Sequence, residues 1–330
     1  MPTFFRRSPL RHVLSWAVLT VTAFSSFAQA PDYPSRPVKL VVPYTPGGTA
    51  DTLARMMAAG MQEPLGQSMV VENRSGAGAV IGATHVARSA ADGYTLLLGA
   101  GSTHTTPQVV MKKMPYDPLK DFEPIAMIGT TSYVLLARPT LPFKNLQETL
   151  AYAKENPGKI SYGSTGPGAA VHLTMAHVEQ LAGVRLLQVP YRGGGQILVD
   201  LMAGQIDLGL GTAESAGAVE SGKLRALAVI GPKRLSALPD VPTCIESGVP
   251  NCEFPVWNGL FAPTGTPQAV MSKLTAAAEH VLAEPQTQKR LRELGYEPAP
   301  PGGPTMVKRH IANETRLVHQ VATKAGVMAE

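Results

Sequence analysis

The chain has 330 residues, 44% hydrophobic and 16% charged, enough for a sizeable core and above the usual single-domain size, which points to two domains. Its formal charge is +5, but Arg6, Arg7 and Arg11 lie in the first 30 residues with no acid beside them; without that stretch 26 basic residues face 24 acidic ones, a net +2. No cluster of Lys and Arg with interleaved aromatics remains, which argues against a nucleic-acid partner.

The three arginines precede an apolar stretch at 13–27 that ends in Ala28, Gln29 and Ala30, the pattern of a cleaved secretory signal peptide over residues 1–30. The stretch is short for a transmembrane helix, and export of the remainder is expected. In the remainder, VKLVVP at 38–43 reads as a strand, followed by a helix with Leu53, Met56, Met57 and Met61 on one face. SMVVEN at 68–73 and YTLLLGA at 94–100 are further strands around a helical run at 76–90. The stretch 122–139 is too long for one ordinary strand and is a candidate crossover. The second half repeats the style, with strands at 159–164, 185–190 and in QIDLGLG and LRALAVIG, and helices at 168–181 and 194–203. A return crossing at 254–267 and helices at 268–294 and 305–324 complete the reading. Such alternation calls for largely parallel sheets flanked by helices, with ligands beyond the carboxyl ends of the strands.

Two glycine-rich loops stand out, VVPYTPGGTAD at 41–51 and SYGSTGPGAAVHL at 161–173, each between a strand and a helix. Glycine lets bare N–H groups face a ligand, and the first helical turn adds unpaired donors and a positive dipole end. An anion held between Gly47, Gly48 and Thr49 on one side and Ser164, Thr165 and Gly166 on the other is the expectation. Asp51 reads as a helix cap rather than a contact. Ser102, Thr103 and His104 follow a strand end and read as pocket residues or a hydrophilic loop. His172, four positions after Gly168, would face back to its loop. Tyr191 and Arg192 end another strand, Arg192 being the one cation expected near the cleft. Asp207 would brace the second domain's loops or meet a cationic group. Trp257, the only tryptophan after Trp16, suits hinge packing or a stacking wall. Cys244 and Cys252, eight apart, would form a short-loop disulfide or stay as two small core residues; zinc lacks its four ligands.

RPVKLVVPYTPGGTAD, VVENRSGAGAVIGA, MPYDPLKDFEPIAMIG, YGSTGPGAAVHL, VPYRGG, DLMAGQID and WNGLFAPTGTP, in that order, resemble the Bug family, the extracytoplasmic solute-binding receptors of tripartite tricarboxylate transporters. The resemblance implies a type II periplasmic-binding-protein fold, two α/β domains with a central ligand cleft and two crossover strands as hinge. Domain 1 would be 31–130 plus 256–330 and domain 2 would be 131–255. It further implies a small carboxylate held by backbone amides and water, a membrane permease as partner, and a monomer. The pocket would be formed by Tyr44, Pro46, Gly47, Gly48, Thr49, Gly78, Ser102, Thr103, His104, Ser164, Thr165, Gly166, Gly168, Ala169, His172, Tyr191, Arg192 and Asp207. Where the family has a pattern like G-x-A-P-A, this chain has Gly193, Gly194, Gly195 and Gln196, which widens that wall and suggests a larger or flatter diacid such as terephthalate or phthalate. No catalytic motif, metal motif or cofactor loop is present: GAGAVIG misses the GxGxxG spacing, and GxSxG and HExxH are absent. The readings set against transport are a periplasmic sensor and an exported hydrolase using Ser164 or Ser102 with His104 or His172.

Overall fold

The computed structural model describes Met1, Thr3 and residues 33–191 and 194–328. The expected signal peptide and the expected cation Arg192 lie outside the described residues. The chain divides into Met1–Tyr33 and Pro34–Glu330, and every element below belongs to the second unit.

In chain order the strands are β1 (Val38–Val42), β2 (Met69–Asn73), β3 (Thr95–Ala100), β4 (Phe122–Thr131), β5 (Tyr133–Ala137), β6 (Ser161–Ser164), β7 (Leu187–Pro190), β8 (Leu208–Gly211), β9 (Arg225–Ile230), β10 (Val256–Pro263) and β11 (Glu297–Pro298). They form two sheets, ordered β11-β4-β10-β3-β1-β2 and β7-β6-β8-β5-β9. The crossover at 122–139 breaks at Ser132, so that β4 belongs to one sheet and β5 to the other. The chain returns in β10, which pairs antiparallel to β4 from Val256↔Thr131 to Pro263↔Phe122.

Between the strands of the described residues, parallel pairing holds at β2-β1-β3 and β7-β6-β8. The outbound and returning crossings run in opposite directions, so β10 is antiparallel to β3 and β4, and β5 to β8 and β9. Both sheets are therefore mixed, against the expectation of largely parallel ones. Val38, Leu40, Val41 and Val42 are fully buried, as a strand covered on both faces requires. Helix Thr49–Leu65 lays Leu53, Met57 and Met61 against the sheet and stops at Gly66, whose φ of 68° is the left-handed conformation glycine adopts cheaply. Each such buried side chain contributes about 1.5–3 kcal/mol. The helix expected over 268–294 is two, Gln268–Ala283 and Pro285–Glu293, because Pro285 cannot continue the first but suits the opening turn of the second.

The last helix, Gly303–Ala325, departs from its expected place in the first domain alone. Val307 and Ile311 pack in the core containing Val41, Leu97 and Phe261, whereas Val318, Val321 and Ala322 pack with Leu135, Leu173 and Met175 of the second half. Gln180 Nε2 donates to Val321 O at 3.0 Å, tying this helix to helix Ala170–Ala182.

Cys244 and Cys252 are fully buried and form a disulfide with Cα atoms 5.7 Å apart. Closing so short a loop restricts the unfolded chain by about 2–3 kcal/mol. Replacing both cysteines with serine should lower unfolding free energy by at least that amount in urea titration, and dithiothreitol should have no further effect on the variant.

Candidate functional site

A cavity of about 610 Å³ opens where strand-to-helix loops from both sheets meet. Pro43–Thr45 after β1, Ser75–Val80 after β2 and Gly101–Ser102 after β3 form one side; Thr165 and Pro167–Val171 after β6 form the other. Tyr133, Trp257 and Glu314 close it from within. No lysine or arginine is among the described lining residues.

The first glycine loop meets the cavity differently from the expectation. Its tip at 46–48 is exposed, and the wall is built by Pro43, Tyr44 and Thr45 rather than by Pro46, Gly47, Gly48 and Thr49. The Gly47 N–H is already used, donating to Asp51 Oδ2 at 3.0 Å. Arg55 Nε donates to the same oxygen at 3.0 Å, and Asn73 Nδ2 donates to Asp51 Oδ1 at 2.9 Å and to Tyr44 O at 3.2 Å. Burial would raise the Asp51 carboxyl, but the bonds from Arg55, Gly47 and Asn73 outweigh it and hold it below the usual carboxylate range. Asp51 thus fixes the loop as a charged brace, and the Tyr44 hydroxyl, 2.6 Å from Ser102 Oγ, links the first loop to the third.

Along the second turn, Gly76, Ala77, Gly78 and Ala79 all have positive φ, at 132°, 46°, 62° and 84°. Two alanines in that region cost on the order of 1 kcal/mol each, and strain of this kind collects where backbone is aimed at a ligand. The sequence pointed only to Gly78.

After β3 the short helix Gly101–His104 turns inward, so that Gly101 and Ser102 line the cavity and Thr103 and His104 do not. Thr103 is fully buried, its Oγ1 accepting from Ala100 N at 2.9 Å. His104 is fully buried, stacked on Phe261 with centroids 4.0 Å apart, and burial pushes its pKa down to about 3. Both belong to the core, contrary to their expected place in the pocket.

On the opposite side, Thr165, Gly168 and Ala169 line the cavity. Ser164 is fully buried below them, accepting from Gln188 Nε2 at 2.6 Å and Gly166 N at 3.2 Å, so its hydroxyl braces the loop. Gly168 N–H donates to His172 Nδ1 at 2.9 Å, which requires an unprotonated Nδ1, and burial lowers that pKa. His172 and Gly166 stand behind the wall. Tyr191 points away, donating to Asp200 Oδ2 at 2.9 Å. Asp207 pairs with Arg138 Nε at 2.8 Å and accepts from Ser161 N and Oγ at 2.8 Å, at the start of β6 and so at the opposite strand end from the ligand loop. No hydrogen bond between a serine hydroxyl and a histidine ring exists among the described residues for the hydrolase reading to use: Ser102 pairs with Tyr44, Ser164 with Gln188, His104 with Thr103 and His172 with Gly168.

Sequence reasoning missed Tyr133 and Glu314, and gave Trp257 only as one of two options. Glu314 is 4% exposed; Trp257 Nε1–H donates to its Oε2, and burial lifts its pKa to about 7 against the opposing bonds from Trp257 and Thr105. No local motif marks it, because its partners lie far away in the chain.

The fold and this site define a two-sheet α/β binding protein whose ligand cleft is walled by backbone-rich loops. The family model described as the tripartite tricarboxylate transporter family receptor matches residues 53–326. The chain is 40% identical over 302 residues to a UPF0065 protein of Bordetella pertussis, covering 91% of this chain and 92% of the relative. Among solved structures it is similar to R. palustris Rpa4515 with adipate (TM-score 0.83, 37% identity, 90% and 99% coverage) and periplasmic binding protein BugD (0.80, 38%, 90% and 99%). It is also similar to MatC (Rpa3494) from Rhodopseudomonas palustris with bound malate (0.79, 34%, 88% and 99%). The chain belongs to the tripartite tricarboxylate transporter receptor family, of the Bug type.

Gly168 has φ +74°, and a Cβ there would stand 2.9 Å from Val110, whereas a Cβ on Gly195 meets nothing within 4 Å inside helix Gly194–Met202. Gly168→Ala should therefore lose about 2 kcal/mol in urea unfolding while Gly195→Ala gains up to about 1.

Proposed function

We propose that the protein captures a small organic carboxylate in this cleft and delivers it to the membrane permease of a tripartite transporter, acting in the periplasm as a monomer and without catalysis. One observation carries the reading: loops from both sheets wall a single cavity in which the described residues supply backbone N–H groups and hydroxyls but no fixed cation. Amides and hydroxyls meet a carboxylate without the desolvation cost of a buried lysine, and water fills the gaps for ligands of differing length. The adipate and malate held by the two neighbours support a dicarboxylate. Tyr133 and Trp257 in the wall, with Gly195 and Gln196 where the family places Ala-Pro, extend the range to a flat aromatic diacid.

The ligand contacts fall to Tyr44, Thr45, Ser102, Thr165, Gly168, Ala169 and the turn around Gly78. The two lobes, 31–130 with 256–330 and 131–255, close about the paired crossings at Ser132 and Pro255. A ligand touching both sides shifts that equilibrium by the difference between its contacts in the closed and open states. Binding to the folded state alone stabilises it by about 2.7 kcal/mol at a hundredfold excess over Kd. A thermal-shift panel of adipate, malate, citrate, glutamate, phthalate and terephthalate should raise Tm by roughly 5 °C for at least one member. A panel in which no carboxylate moves Tm would overturn the reading.

A further inference from the structure

The described lining of a cleft suited to anions contains one ionisable acid and no base, and the acid, Glu314, is 4% exposed. It also lines a second, rear cavity of about 510 Å³, so the residue is common to the walls of both spaces. Trp257 Nε1–H, from β10, binds Oε2. Oε1 reaches the loop after β3: a Cβ on Gly101 would stand 2.6 Å from it, so glycine there leaves the carboxyl its place, with the Thr105 hydroxyl beside it.

Among the described residues, the titratable groups around this carboxyl supply no countercharge. The Tyr44 and Tyr133 hydroxyls face it and are themselves pushed up, chiefly by burial and in part by Glu314. His104 and His310, both in ring contact with Trp257, are held toward the neutral form by burial. Lys233, Arg234, Glu253, Tyr296 and Glu297 line the rear cavity, and no ion pair to Glu314 forms among the described residues. An ionised Glu314 would therefore stand unpaired beside the bound anion, where like charges at low dielectric repel strongly.

We propose that Glu314 is a specificity-determining residue of the cleft, carrying a proton whenever a carboxylate is bound and presenting its hydroxyl as a donor to the ligand's inner end, directly or through one water. The proposal rests on the carboxylate reading above. Its consequence is linkage. Where Glu314 is already protonated, binding takes up nothing; where it is ionised, one proton enters from solvent with the ligand, and affinity falls as pH rises. Burial, which lifts this carboxyl to about 7, puts the change near neutrality.

The test is titration calorimetry with adipate and with malate between pH 5.5 and 8.5, in two buffers of different ionisation enthalpy, on the wild type and Glu314→Gln. Proton uptake in the wild type should be near zero at the acid end, about one half near pH 7 and near one at the alkaline end, with Kd rising up to about tenfold per pH unit above neutrality. Glu314→Gln should take up none and show a flat profile. Trp257 emission without ligand should show a step near pH 7 in the wild type that the variant lacks. Wild-type binding with no proton uptake at pH 8.5, or tighter binding as pH rises, overturns the proposal, and neither result requires the variant to fold. If neither ligand binds, the carboxylate reading and this proposal fall together. The emission step then tells whether Glu314 titrates as argued and only the ligand class is wrong, or whether the residue too was misjudged.

Discussion

The antiparallel pairing of β4 with β10 is the constraint from which the site follows. Two strands, hydrogen-bonded to each other from Val256↔Thr131 to Pro263↔Phe122, lead the chain out of one sheet and back from the other. Because they run side by side, the loops after β1, β2 and β3 face the loop after β6, and a single cavity forms between them. The same pairing puts Trp257 and Tyr133 at the cavity's inner end, one on each side of the crossing. Helix Gly303–Ala325 adds a third link, with its first turns in one core and its last in the other.

A division of labour runs through the polar residues near the cleft. Those facing it, Ser102, Thr165 and the backbone around Gly78 and Gly168, carry no formal charge. Those with charge or strong hydrogen-bonding capacity are turned inward to hold the loops: Asp51 grips Gly47, Ser164 grips Gly166 and His172 grips Gly168. Buried polar groups must be bonded, and these loops bury enough of them to use up the side chains that would otherwise meet a ligand. Glu314 is the exception, an acid bonded by a donor yet facing both cavities.

What the sequence determined was local. Apolar runs placed the strands, glycines placed the turns, and the period of Leu53, Met57 and Met61 placed the buried face of the first helix, because pleat, turn and helical repeat each depend on residues a few positions apart. Even the break at Ser132 was legible as a run too long for one strand. Tertiary structure decided which way the polar side chains turned. Asp51 with Asn73 and Asp207 with Ser161 are pairs joined across 22 and 46 positions. His104 went to the core because Phe261, on a returning strand, offered it a face. Glu314 became part of the cleft because Gly101, just after β3, and Trp257, on the neighbouring strand β10, left room for one carboxyl and supplied one donor. Hydrogen bonds and close packing between distant segments have no period to read, so the loops could be seen in the chain while the lining of the cleft could not.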